Sequence, residues 1–531
     1  MSKQSKETLI AVSLLMVFFA GHILTPFNVD NDLYQAMGFQ LMRFHRLPYL
    51  GSFDMNFPGI IYFHAGIISL FGNSEIAFRL VETLLHVFSG VLVFLLIRRW
   101  VSKRAALLSV LMVAIWYNFD LILGGQRDGL ALFFILLTIY RLYRFKDKHA
   151  LHSSGALLLA LLMGLLMGIA MIIRPTNGLF AIMLLVALNA VIEKKKYLIS
   201  VTYLGMILFV WLVAFSPYLF SKEALERVYL CLVRFTTDTY SASNNRPSVL
   251  RFMLKGHELF LNIILLGTLG YLYWTWKDSF RLHAHGRYLG LLSNFDWMMI
   301  VGFYLCARIP IWLMGKGSYY HYEAIMTISF VPISIFIDRL ALRIRNPFVA
   351  WFAPMVLVVA MGCITYPWND LFHVANGMLQ RKKDPITYSH LEDVQNPRDS
   401  LLLSNYWLVQ YLEQPSNKNG RFECEGLFAS IYWRTEREPA SAFTLISPLV
   451  MESSNGLTTY QYEWIDEFVD SLRVVRPEFI ILSNSHRGVG DLFPRSPYDA
   501  VHRFPGFNQL IETDYRLDTT IYSWVVYRRK T

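Results

Sequence analysis

The sequence predicts a polytopic α-helical membrane protein with a small α/β domain at its C-terminal end. Three observations predict it. Of 531 residues, 54% are hydrophobic and only 17% charged, where a soluble chain carries about a quarter charged, and mean hydropathy is +0.37. Apolar runs of bilayer-crossing character recur through residues 1–366 and then stop. From about residue 367, polar turns alternate with short apolar runs such as "SLLLS", "EFIILS" and "IYSWVVY". These read as strands of an α/β domain, with a helix near 462–474. The expected division is a transmembrane domain over 1–366 and an extracytoplasmic domain over 367–531.

The apolar segments run approximately 9–25, 59–71, 81–97, 105–123, 129–145, 155–173, 177–192, 198–218, 258–276, 296–314, 320–337 and 347–366. The second is the exception. As a helix it would rise only about 20 Å, short of a hydrocarbon core of about 30 Å. If it does not cross, the basic clusters at Lys3/Lys6, Arg98/Arg99, Arg141/Arg144, Lys194 to Lys196, Lys277/Arg281 and Arg339/Arg343 all fall on one side. The positive-inside rule favours that arrangement. It predicts 11 transmembrane helices in the inner (plasma) membrane, N-terminus cytoplasmic and C-terminus outside. No small-residue cleavage site follows the "MSKQSKE" start, so 9–25 reads as an uncleaved span. The net charge of +10 sits in these loops, which argues for a topology signal and against nucleic acid. Cys231, Cys306, Cys363 and Cys424 have no metal-ligand spacing. They read as solitary packed thiols, with a Cys231–Cys424 bridge the less favoured alternative.

This topology makes residues 26–80 one external loop on the membrane surface. Leu33, Met37, Leu41 and Phe44 share one helical face, as an interfacial helix requires, and 59–71 is a second surface helix. The same outer surface then collects Asp30, Asp32, Arg43, Arg46, Asp54, Asn56, Arg79, Gln126, Arg127, Asp128, Arg174, Lys316 and the His321 of "SYYHY". A charge at the bilayer centre costs about 2.5–3.5 kcal/mol on insertion scales, and less near the edge. So many beside apolar spans point to an anionic or polar ligand at the membrane edge. Plainer readings stand beside this one. Asp32 would cap a helix beginning at Leu33, "GQRDG" would be a turn whose Asp favours the next helix's positive end, and Arg174-Pro175 would end a helix.

"DNDLYQAMGFQLMRFHRLPYLGSFDMNFPG…LFGNSEIAFRL" resembles the first-loop pattern of the GT-C integral-membrane glycosyltransferases, in the bacterial branch akin to protein O-mannosyltransferases and lipid A aminoarabinose transferases. The matching residues are Asp30, Tyr34, Leu47-Pro48-Tyr49, Asp54, Asn56-Phe57-Pro58 and Leu70 to Leu80. "GQRDG", "GSYYHY" and "IYWRTEREPASAF" are similar to later parts of the family pattern. The resemblance implies transfer of a sugar from a polyprenyl-phosphate donor to an extracytoplasmic glycan, lipid or protein acceptor, usually with inversion, in cell-envelope or lipopolysaccharide biogenesis. A polyprenyl phosphate leaves as a stable anion, so one base and nearby cations are sufficient, whereas a glycosidase needs two carboxylates. The resemblance makes Asp30 the base, with Asp32 its alternate. Tyr34, Asp54, Asn56, Gln126, Arg127, Asp128, Lys316, His321 and Tyr322 become substrate-binding candidates. Many members place an acid where Asn31 stands and a Lys where Asn56 stands, so either the phosphate ligand comes from elsewhere or the donor differs. No cofactor is required by this chemistry, and dependence on a divalent cation is left open.

The rival class is a transporter, flippase or polysaccharide polymerase. Transporters tend to carry paired repeats and ionisable residues near the midplane. Here the charges gather at one surface and no internal repeat is evident. A receptor built on the external domain is the third reading.

Overall fold

The fold is a computed structural model that describes residues 3–24, 27–117, 124–147, 153–192, 194–240, 293–314, 319–343, 401–418, 420–426, 429–453, 456–485 and 496–531. The predicted spans 258–276 and 347–366, the boundary at 366/367, Lys316 and Cys363 lie outside these residues. The chain divides into two compact units. The described residues within Met1–Thr25, Arg79–Ala214 and Arg246–Trp368 form a helical unit. Those within Pro26–Phe78, Phe215–Asn245 and Asn369–Thr531 form a mixed unit.

The helical unit contains α1 (Lys3–Ala20), most of α4 (Glu75–Ile97), α5 (Lys103–Tyr117), α6 (Arg127–Asp147), α7 (Ser153–Ile173), α8 (Gly178–Val191), α9 (Lys196–Phe215), α11 (Asn294–Met314) and α12 (Glu323–Arg343). Among the described residues, four helices are long and apolar enough to cross a membrane: Glu75–Ile97, Gly155–Ile173, Lys196–Tyr218 and Asn294–Leu313. Helix α6 opens with Asp128 in its first turn and closes with Arg144 and Lys146 in its last, as the helix dipole favours. Small residues let α7 lie close to α9. A Cβ at Gly164 would meet the Tyr203 carbonyl oxygen at 2.5 Å, and one at Gly168 would meet Val210 Cβ at 2.8 Å. Such close backbone approach is the usual device of packed membrane helices. The rest of α9 leaves Leu204, Leu208, Phe209 and Leu212 exposed, the surface expected of a helix that faces lipid.

The mixed unit begins with α2 (Val29–Phe44) and α3 (Gly59–Phe71); α3 covers the predicted 59–71. Helix α2 is not the half-exposed amphipathic helix expected from Leu33, Met37, Leu41 and Phe44. Every residue from Asn31 to Gln40 is buried, while Leu41 and Phe44 are only half-buried. Packing of α3 on one side and of α14 (Ser430–Arg434) on another explains why. Helix α10 (Lys222–Tyr229) runs on into a π-helical stretch, Leu230–Tyr240. A four-stranded sheet follows in the order β1 (Phe422–Glu425), β2 (Phe479–Ser483), β4 (Trp524–Arg529), β3 (Tyr515–Ile521). The β1–β2 pair is parallel and the others antiparallel. "EFIILS" forms β2, and "IYSWVVY" spans the turn into β4. "SLLLS" is not a strand: it begins α13 (Leu401–Leu412), whose Ser404, Leu408 and Leu412 recur at helical spacing and are buried. The predicted helix near 462–474 is α15 (Thr459–Val475). Cys231, Cys306 and Cys424 are buried and unpaired.

Candidate active site

In the mixed unit, the first turn of α2 carries both candidate carboxyls. The helix starts at Val29, earlier than Leu33, because the Asn28 side chain caps it by accepting from the Asn31 N–H at 3.0 Å. Asp32 is therefore not the cap. It is 2% exposed, and its Oδ1 has no hydrogen-bond partner. Burial pushes its carboxyl up to about 8; the Arg434 charge opposes that rise, Glu75 adds to it, and Trp433 and Ser430 oppose it by hydrogen bonding. Asp30, two residues earlier, is half-buried.

Tyr34, Asp54 and Asn56 are brought together. Asn56 Nδ2 donates to Asp54 Oδ1 at 2.9 Å and to the Tyr34 hydroxyl at 3.1 Å, and the Asn56 N–H donates to the same Oδ1 at 3.1 Å. The Tyr49 hydroxyl donates to the Asn56 carbonyl at 2.7 Å. Tyr49 has φ 68, and its turn closes through Gly51, where a Cβ would meet Arg46 Cβ at 2.6 Å. This network fastens the "NFP" motif to α2. Arg46 has a structural role as well: it donates to the carbonyls of Pro439 and Ser441 at 2.7 and 2.8 Å. Arg43 is exposed.

In the helical unit, "GQRDG" leads into α6. Asp128 pairs with Arg174 and lies 3.5 Å from His321 Nδ1. Arg174 Nη2 donates to that nitrogen at 3.1 Å. A guanidinium can only donate, so Nδ1 accepts and the neutral ring carries its proton on Nε2. Asp128 is thus paired with a cation and is half-buried. Gln126 is buried and Arg127 half-buried. The buried Tyr322 ring packs under the Arg308 guanidinium, 5.7 Å from its centroid.

Sequence reasoning passed over two groups. Glu82, fully buried on α4, gathers Arg79 at 2.7 Å, His22 at 3.2 Å and His86 at 3.7 Å. It also accepts from the Tyr117 hydroxyl at 2.7 Å and from the Gly125 N–H. The spacing Arg79, Glu82, His86 along an apolar helix was its signal. The second group is Ser430, Trp433 and Arg434 beside Asp32; Trp433 and Arg434 belong to the "IYWRTEREPASAF" stretch noted above, but no local pattern places that stretch at Asp32. Arg79, placed by sequence on the outer surface, pairs with Glu82.

Among the described residues, four helices are long and apolar enough to cross a membrane, and the chain carries a mixed helix-and-sheet unit as well. Residues 56–220 match the family model described as dolichyl-phosphate-mannose-protein mannosyltransferase. The chain is similar in fold to the crystal structure of ArnT from Cupriavidus metallidurans bound to undecaprenyl phosphate, with TM-score 0.54 and 14% identity over 98% of this chain and 97% of that one. For the same protein in the apo state the TM-score is 0.52 with 12% identity, over 99% and 98%. A protein of Aquifex aeolicus (strain VF5), described as uncharacterized, is 28% identical over 240 residues, 42% of this chain and 48% of its own length. The chain spans about half the length of that curated relative.

Proposed function

We propose that the chain transfers a sugar from a polyprenyl-phosphate-linked donor to an extracytoplasmic glycan, lipid or protein acceptor, with inversion. The acceptor oxygen attacks the anomeric carbon, the bond from that carbon to the phosphate oxygen breaks, and the acceptor proton passes to Asp30. The polyprenyl phosphate departs as an anion. Arg127, the Nε2–H of His321 and Lys316 are the groups assigned to hold it, by charge-assisted hydrogen bonds. No metal ion is assigned a part. The proposal includes 11 crossings of the inner membrane with a cytoplasmic N-terminus.

The observation that carries the choice of base is the contrast within the first turn of α2. A base must reach its proton and be ionised. Asp30 is half-buried, whereas Asp32 is sealed and holds its proton up to about pH 8. The test uses membranes supplied with a panel of radiolabelled polyprenyl-phosphate sugars. Asp30→Asn should lower turnover roughly 10²-fold or more while donor binding persists. Arg127→Ala should weaken donor binding instead. Wild-type turnover in Asp30→Asn would remove the assigned base. Reporters placed after Arg345 and after Thr531 should read cytoplasmic and external; a cytoplasmic Thr531 would mean that 59–71 crosses.

A further inference from the structure

Helix α6 begins at Arg127 and ends at a second group of cations that the proposed reaction does not use. Arg144 lies about 25 Å further along the helix, at ~1.5 Å per residue. There a cavity of about 270 Å³ is lined by Arg98, Arg99, Arg144, Tyr140 and Tyr143. Arg98 pairs with Glu7, and Lys103 lies 3.4 Å from the same carboxylate. Arg99 Nη2 donates to Asp147 Oδ1 at 2.7 Å, and its guanidinium lies 4.6 Å from the Tyr143 ring centroid. The positive charges of Lys146 and Arg144 also act on Asp147. Arg98, Arg99, Lys103, Arg144 and Lys146 thus face three carboxylates, Glu7, Asp147 and Asp296, the last acting on Arg99 and Tyr143. Positive charge is in surplus around a space large enough for a phosphate group.

Three arginines suit a tetrahedral oxyanion better than a point charge, because guanidinium forks match phosphate oxygens two at a time. The position adds a source. Arg98 and Arg99 directly follow α4, a helix long and apolar enough to cross a membrane. Basic pockets at that level between membrane helices are suited to lipid headgroups. We propose that this cavity binds a phosphate-bearing anion, the headgroup of an anionic phospholipid. The inference does not depend on the glycosyltransferase reading.

The test follows the thermal unfolding midpoint of the full chain in neutral detergent during titration with phosphatidylglycerol, phosphatidylcholine or inorganic phosphate. Phosphatidylglycerol should raise the midpoint saturably and phosphatidylcholine should not. Arg144→Gln should weaken the apparent affinity roughly tenfold, as loss of one charge-assisted contact predicts. Arg144→Glu should abolish the response, and Arg144 is exposed, so neither variant threatens the fold. An equal response to inorganic phosphate at matched concentration would keep the phosphate site and assign it to a soluble ligand. Equal responses to the two lipids, or an unchanged phosphatidylglycerol response in Arg144→Glu, would overturn the proposal.

Discussion

Asp30 and Asp32 stand two residues apart in one helical turn, yet their surroundings give them different chemistry. Asp32 is held near 8 because burial outweighs the opposing charge of Arg434. The sign of its linkage follows. Below about pH 4 both folded and unfolded chains hold the proton, so the group contributes no pH dependence. Between about 4 and 8 the unfolded chain releases it while the folded chain retains it, and stability falls as pH rises. The loss is on the order of 5 kcal/mol across that window. Asn mimics the protonated acid in shape and cannot ionise. Asp32→Asn should therefore keep the fold, raise the unfolding midpoint at pH 8 and flatten its decline between pH 5 and 8. A decline as steep as in the wild type would show that another group is responsible. The "DND" turn exposed both acids as candidates. It could not show which one is sealed, because the residues that do so, Ser430 to Arg434, lie far away in sequence.

At the scale of elements, α4 and the "GQRDG" turn are joined by Glu82. Its carboxylate balances Arg79 and receives the Gly125 N–H, two residues before Arg127. Gly125 has φ 72, a left-handed conformation that costs other residues about 1–2 kcal/mol. Glu82→Gln leaves the Arg79 charge buried and uncompensated, a change that typically costs about 3–5 kcal/mol. Neutralising both, as Arg79→Gln with Glu82→Gln, removes the isolated charge and should recover much of the loss. Unfolding midpoints of the two single variants and the pair decide it, and a pair no better than Glu82→Gln would count against charge balance as the cause. Helix positions in this half were legible because apolar length and basic clusters are written locally, as α6 and α7 show. The α13 segment was misread because a run of only a few apolar residues fits a strand and a buried helix equally. What α2 packs against was not legible either, since periodicity reports a face and not the number of faces covered.

The composition change near residue 367 suggests a detachable C-terminal domain, but the packing of the mixed unit argues for a shared core. Trp464 of α15 is 2% exposed, and its ring lies 5.0 Å from Phe53, 6.0 Å from Phe235 and 6.2 Å from Phe443. Phe53 comes from the first loop and Phe235 from the π-helical stretch. Tyr49, Tyr218 and Cys231 belong to the same cluster. Backbone bonding crosses these segments too: the Phe53 N–H donates to the Ala442 carbonyl at 2.7 Å. Deleting one buried aromatic costs about 3–5 kcal/mol, and a domain holds only about 5–15 kcal/mol in all. A fragment of residues 370–531 loses Tyr49, Phe53 and Phe235 together, so it should not fold cooperatively alone. Its Trp464 should be accessible to collisional quenchers, and limited proteolysis should cut within α15. Joining residues 26–78 and 215–245 to the fragment through flexible linkers should restore a cooperative transition. A sharp unfolding transition from 370–531 alone, with a shielded Trp464, would show that the loops only rest on a core already complete.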